Sequence, residues 1–245
     1  MRAVILAGGR GTRLAPLTVV FPKPLVPVGN MPILEIVVRQ LIAADFGRVT
    51  LTLGYLGELI RAFFATHHKL SSMIEIDYVQ EEQPTGTAGS LTLVEGLDQT
   101  FLVMNGDVLT TLDFQALIRF HREQGATLTI ASHRKRVRID LGVMELDESG
   151  TRVTGYLEKP EKTYPVSMGV YVYEPRALDF IPHGEYFDFP SLVLRLIAQG
   201  EKVACYPSDA LWLDIGRHED YGLAQEAFER HRDAFRLAGL EDAQP

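Results

Sequence analysis

The opening stretch MRAVILAGGRGTRLAPLTVVFPKPLVPV, residues 1–28, decides how the rest of the chain is read. Ala3–Leu6 is a short apolar, β-rich run that empties into a loop carrying Gly8, Gly9 and Gly11. Glycine reaches backbone angles closed to other residues, so successive N–H groups in such a loop can converge on phosphate oxygens. Arg13 and Lys23 add full positive charge, and Pro22 and Pro24 stiffen the backbone around the lysine. A dinucleotide-binding fingerprint would need glycine where Leu14 stands, and a Walker A loop would end in Gly-Lys-Ser/Thr, which is absent. A plain surface turn accounts for the glycines but leaves Arg13 and a proline-flanked Lys23 unexplained. The segment is therefore expected to handle an anion in a loop of another kind.

Outward from that strand, β-rich runs alternate with amphipathic stretches. Strands are expected at Ala3–Leu6, Arg48–Leu53, Ile74–Val79 and Phe101–Met104, with helices at Pro32–Ala44, Leu56–Thr66, Ala88–Gly96 and Asp113–Gln124. Pro32 suits a first helical turn, and Asp113 suits a cap. Such alternation is the signature of βαβ units on a mostly parallel sheet. From Ala126 the pattern turns to strands with turn signals, at 126–131, 141–146, 152–157 and 166–173. A helix at 188–199, strands within 202–213 and a last helix at 217–236 complete the chain, and Ala238–Pro245 is expected to fray. No linker, low-complexity block or repeat divides it. The expectation is a single α/β domain over 1–245, with a first half at 1–125, a second half at 126–236 that adds a lid or acceptor subdomain, and a tail at 237–245.

Composition bounds the partners. With 245 residues, 46% of them hydrophobic and 23% charged, the chain can bury a full core. The lone Cys205, in the apolar run 202–206, rules out an intramolecular disulfide and suggests a buried, inert thiol. No run approaches the roughly 18 apolar residues of a membrane span, and Ala3–Ala7 is too short for a signal-peptide core, so a cytoplasmic protein without a membrane partner is expected. The net charge of −8 argues against binding nucleic acid. Residues 1–34 nevertheless hold Arg2, Arg10, Arg13 and Lys23 without one Asp or Glu, which suits a small polyanion. The basic run His133–Arg138 reads as a solvated loop, and the seven histidines show no zinc-site spacing.

Five more segments carry polar residues or glycine beside strands: VQEEQPTGTAGS at 79–90, FLVMNGDVL at 101–109, GYLEKP at 155–160, SMGVYVY at 167–173 and LWLDIGRHEDY at 211–221. Together with the opening Gly-Gly-x-Gly-Thr-Arg-Leu, Pro-Leu-Thr and Pro-Lys-Pro patterns, they make the chain resemble the sugar-1-phosphate nucleotidylyltransferases along nearly its whole length. It looks nearest to the mannose- or heptose-1-phosphate guanylyltransferase branch. The resemblance implies a Rossmann-like α/β fold of the nucleotide-diphospho-sugar transferase type. Its mixed, mostly parallel sheet is flanked by helices and carries a smaller sugar-binding subdomain. It also implies Mg2+-dependent transfer of a nucleoside monophosphate from a nucleoside triphosphate, GTP favoured, to a sugar 1-phosphate, an activity of EC 2.7.7 type.

By the same resemblance Leu6, Ala7, Gly8, Gly9, Gly11 and Thr12 wrap the nucleotide, while Arg13 and Lys23 hold its triphosphate. Gln80 and Gly86 meet the base, with Thr87 at a helix start; an ordinary loop and cap is the other reading. Asp107 and Asp214 hold Mg2+, a hard cation that prefers oxygen ligands. Alternatively, Asp107 is a turn residue and Asp214 caps the last helix. Asn105, Gly142, Glu158, Lys159 and Gly169 serve the sugar phosphate, although Glu158 and Lys159 also suit a solvated surface pair. The absence of a long segment after the last helix suggests a monofunctional protein. A thymidylyl- or uridylyltransferase acting on glucose 1-phosphate, a catalytically idle regulatory homologue and a homodimeric assembly stay open.

Overall fold

The computed structural model describes residues 1–238. Arg2–Ala7 (β1) enters the glycine loop, which passes through a 3-10 turn at Thr12–Leu14, one helical turn at Leu17–Val20 (α1) and a second 3-10 turn at Lys23–Leu25. Pro27–Val28 (β2) and Met31–Pro32 (β3) form a small hairpin before Ile33–Ala43 (α2). Then come Arg48–Leu53 (β4), Gly57–Thr66 (α3), His68–Ser71 (α4), Glu75–Gln80 (β5), Gly86–Gly89 (α5), Phe101–Asn105 (β6), Val108–Thr110 (β7) and Phe114–Gln124 (α6). The second half runs through Leu128–Arg138 (β8), Val143–Leu146 (β9), Val153–Leu157 (β10), Glu161–Tyr173 (β11), Phe189–Ala198 (α7), Val203–Pro207 (β12), Trp212–Asp214 (β13) and His218–His231 (α8).

Seven strands form one sheet in the order β12-β8-β11-β6-β1-β4-β5. All run the same way except β11, which pairs antiparallel with both β6 and β8, so the sheet is mixed and mostly parallel as expected. Both faces are covered. Ala3, Ile5, Leu102 and Met104 enter a core under α2, α3 and α6, whereas Val4, Phe101 and Val103 enter a second core with Leu192 and Leu196 of α7. Successive strand side chains point to opposite faces, and a sheet packed on both needs apolar residues at every position. That is why VILA and FLVM read as unbroken apolar runs.

Asp113 caps α6 as expected, its Oδ1 accepting from the Ala116 N–H at 2.9 Å. Elsewhere the structure corrects the sequence reading. No regular helix spans 88–96: α5 gives way to a 3-10 stretch, Ser90–Leu93, which buries Leu91, and the extended chain that follows buries Val94 and Leu97. The basic run His133–Arg138 is not a loop but the far half of β8. Each of its residues is opposed by one of β11, from His133 on Val166 to Arg138 on Glu161, so the backbone is paired while its arginine and lysine side chains stay exposed. Cys205 is exposed rather than buried, because on edge strand β12 the alternation turns Ala204 inward and Cys205 outward. The last helix ends at His231 and tightens to a 3-10 turn, Arg232–Phe235.

Leu237 packs on the core, and Ala238 exchanges hydrogen bonds with Arg39, so these two residues are held. The rest of the expected tail, 239–245, lies outside the described residues. Among the described residues no helix is long and apolar enough to cross a membrane.

Candidate active site

The chain leaves β1 toward β4 and β5 on one side and returns to β6 on the other. Loops that follow β1 and β6 therefore part company at the carboxyl ends of the strands, the place where open α/β sheets take their ligands. Here a cavity of about 650 Å3 opens. Leu6 and Ala7 line it from the end of β1, Gly8 and Gly9 from the loop that follows, Gln80 from the end of β5, Gly86 and Thr87 from α5, Asn105 from the end of β6 and Asp107 from the turn after it. Lys23 reaches the same wall. Only 8% exposed, it sits in the 3-10 turn between Pro22 and Pro24, and its ammonium pairs with the Asp107 carboxylate across 84 residues of sequence.

Asp214 and Arg13 stand beside this end without lining the cavity. The antiparallel pairing of β13 with β7 sets Asp214 opposite Val108, and the Ile215 N–H donates to the Asp107 carbonyl at 3.1 Å. Partial burial and then the negative charge of Asp107 raise the Asp214 pKa, while Lys23 and Arg13 pull it back. The Arg13 guanidinium lies against Gly216, where an added Cβ would meet its nitrogens at 3.4 Å. Helix α8 starts after Arg217 with no side-chain cap, so Asp214 does not cap it. Gly11 is tied beside Lys23, its carbonyl accepting from Thr18 Oγ1 at 2.7 Å, and Thr12 is exposed at the start of its turn.

Two glycines are required by backbone geometry. Gly86 has φ +84°, and a Cβ there would stand 2.5 Å from the Phe187 carbonyl oxygen. That carbonyl accepts from the N–H groups of Ala88 (3.1 Å) and Gly89 (2.8 Å), so a loop of the second half clamps the Gly86 turn. Gly169 has φ +72° and sits where β11 slips register against β8 between Ser167 and Tyr171. The irregularity brings Gly169 against Asn105, with only 2.7 Å between an added Cβ and Nδ2.

The remaining sugar-side residues stand apart. Gly142, Glu158 and Lys159 flank the β9–β10 ribbon, a separate two-stranded sheet. Gly142 lies against the Tyr156 ring, and Glu158 and Lys159 pair with each other at 3.9 Å with side chains 65% and 51% exposed. None of the three lines the cavity. Lys159 adopts φ +45°, an uncommon conformation for a residue with a side chain.

Among the described residues no cluster of three or more His, Cys, Asp or Glu could hold a metal alone. The donor set still fits Mg2+, which keeps water ligands and is bound through one or two carboxylates completed by substrate phosphates. Asp107 and Asp214 are near enough for the charge of one to act on the other. Sequence reasoning missed further residues of the wall. Tyr186 comes from the 182–188 loop, which only folding brings here, and Glu81 was passed over although it follows Gln80 in a quoted motif.

A family model described as nucleotidyl transferase matches residues 2–231. Mannose-1-phosphate guanylyltransferase of Mycobacterium tuberculosis is 36% identical over 225 residues, 89% of this chain and 62% of that protein. UTP–glucose-1-phosphate uridylyltransferase of Synechocystis is 31% identical over 262 residues, 98% of this chain and 67% of that protein. The chain thus spans about two thirds of the length of these curated relatives. The crystal structure of HddC from Yersinia pseudotuberculosis complexed with GMP-PN superposes with a TM-score of 0.70 at 26% identity, covering 93% of this chain and 99% of that one.

Proposed function

Because the chain belongs to the nucleotidyl transferase family, we propose that it transfers a nucleoside monophosphate from a nucleoside triphosphate to a sugar 1-phosphate and releases pyrophosphate. Within that class the reading favours GTP with mannose or heptose 1-phosphate, in the cytoplasm. The observation that carries it is the meeting of a glycine loop, the buried Lys23 paired with Asp107, and the neighbouring Asp214 at the carboxyl ends of β1, β6 and β13.

The chemistry asks little covalent work of the protein. An ionised sugar-phosphate oxygen attacks the α-phosphorus in line while the bond to pyrophosphate breaks. Positioning and charge neutralisation supply the catalysis, and no general base is needed. In this reading the loop after β1 orients the triphosphate. Lys23 and Arg13 offset the charge that builds on the leaving pyrophosphate, the term of greatest weight when donors are preorganised. Asp107 and Asp214 would hold Mg2+, which when bound neutralises phosphate charge and aligns the two substrates. Glu158, Lys159 and Gly142 are assigned to the sugar phosphate by resemblance, and their ribbon must approach the cavity to serve it.

The test is to incubate the purified protein with Mg2+, each of GTP, UTP and dTTP, and mannose, heptose or glucose 1-phosphate, weighing products by mass spectrometry. GDP-mannose with stoichiometric pyrophosphate is expected. A uridylyl product would favour the second reading, to which the Synechocystis relative lends support. No nucleotide sugar from any pair would overturn both.

A further inference from the structure

Glu81 is a carboxylate in the wall of a cavity assigned to a polyanion, and neither Lys23 nor Arg13 pairs with it. Like charge disfavours direct contact with a triphosphate, and Glu81 stands away from the Lys23–Asp107 pair, so it is placed for another part of the ligand. Its position agrees. Lys23 and Asp107 mark the phosphate end, whereas Glu81 follows β5 beside Gln80 and faces the Gly86 turn through Thr85. Its two oxygens are used differently. Oε2 accepts from the Thr85 N–H at 3.2 Å and the Thr85 hydroxyl at 2.8 Å, which fills both of its lone pairs. Oε1 has no hydrogen-bond donor among the described residues and lies 2.8 Å from where Gly8 would carry a Cβ. A side chain at position 8 would make that oxygen shift. The backbone N–H of Glu81 is anchored to the Leu53 carbonyl at 2.7 Å, so the carboxylate rests on a fixed strand end. The other acidic residue at this end, Glu82, is solvent-exposed.

We propose that Glu81 Oε1 is the base-selecting group of the nucleotide site, accepting hydrogen bonds from the N1–H and 2-amino group of guanine. This rests on the nucleotidylyl-transfer reading and adds the choice of base. Of the nucleobases only guanine presents two adjacent donors on its pairing edge. Uracil and thymine set one N–H between two carbonyls, and adenine and cytosine place a ring-nitrogen acceptor beside their amine. Each would turn a lone pair toward the half-buried carboxylate, and an acceptor placed for donors disfavours a ligand that lacks them. The competing role for Glu81 is a loop clamp through Thr85, which would hold the pocket's shape for every nucleotide alike.

The two roles separate by titrating the intact protein with GTP, ITP, which lacks the 2-amino group, XTP, which carries a carbonyl there, and UTP, without sugar phosphate. Wild-type protein should bind GTP about 10- to 100-fold more tightly than ITP, the range for one charge-assisted hydrogen bond, and should bind XTP most weakly of the purines. Glu81→Gln keeps an acceptor for Thr85 but offers an amide N–H to the base, so it should lose the preference for GTP over ITP and gain affinity for XTP. A gain cannot come from a damaged fold. Thr85→Val, which removes the hydroxyl half of the clamp and leaves the backbone N–H and Oε1 in place, should weaken GTP and ITP together if at all and leave their ratio unchanged. The inference is overturned if Glu81→Gln weakens all four nucleotides equally, or if wild-type protein does not distinguish GTP from ITP. Should wild-type protein transfer UMP to a sugar phosphate and bind UTP best, base selection by Glu81 fails while the transfer reading stands. If it binds no nucleotide, both fail.

Discussion

Replacing Lys23 with methionine keeps nearly the same volume and removes one charge, and the structure says what should follow. The lysine side chain is 10% exposed and its partner Asp107 is 21% exposed. Removing one member of a fully buried pair costs about 3–5 kcal/mol, because the other charge is left uncompensated. Asp107 keeps some contact with water, so the cost here should fall to about 1–3 kcal/mol, read as a lowered urea midpoint at unchanged slope. Adding Asp107→Asn removes the orphaned charge, and the double variant should recover most of that stability. Activity should behave in the opposite way. Loss of one preorganised group facing transition-state charge typically lowers kcat about 100- to 1000-fold. The double variant should be no better, because it also lacks a carboxylate assigned to Mg2+. Pyrophosphate release at saturating substrate, with denaturation curves for both single variants and the double, completes the cycle. If Lys23→Met keeps more than about a tenth of wild-type kcat, or if Asp107→Asn restores activity to it, the pair is structural and the catalytic assignment is wrong.

Asp214→Asn should raise the Mg2+ concentration for half-maximal rate by about tenfold or more, yet leave the thermal midpoint unchanged or higher, since burial and Asp107 both disfavour its charged form. A lowered midpoint with unaltered Mg2+ dependence would return Asp214 to a structural role. Gly169→Ala must hold φ +72° and push against Asn105, so a loss of about 1–3 kcal/mol is expected together with a lower kcat/KM. Wild-type values for both would show that the β11 irregularity does not position Asn105. His121 is buried between Thr129 Oγ1 at 2.7 Å and Glu174 Oε1 at 3.1 Å, and burial lowers its pKa more than Glu174 raises it. The unfolded chain therefore takes up a proton at about pH 6.5 that the fold refuses. The stability tied to His121 is complete above that pH and is lost as pH falls toward the lowered folded value. Urea midpoints at pH 7.5 and 5.5 should drop more for wild type than for His121→Gln; equal drops would contradict this sign.

Local chemistry made much of the molecule legible. Glycine, proline and an unbroken apolar run constrain the chain within a few residues of themselves, so β1, its loop, the proline-flanked turn of Lys23 and the aspartate cap of α6 could all be read directly. Misreadings arose where a distant neighbour sets the conformation. The basic residues His133–Arg138 have little strand character of their own and are extended because β11 lies alongside. Cys205 looked buried in its apolar run until edge pairing on β8 set which face it occupies.

The sequence by itself determined that strands and helices would alternate into a mostly parallel sheet, and which segments carry the glycines, basic residues and carboxylates assigned to the site. Only the tertiary structure decided which of those residues meet. Lys23 finds Asp107 because β6 returns beside β1, and Asp214 comes near both because β13 pairs with β7. Glu158 and Lys159 instead remain on an exposed ribbon. The reason is physical: backbone preference acts over a turn or a strand, whereas a site made from residues 84 or more positions apart depends on strand order and register, which the packing of the whole core selects.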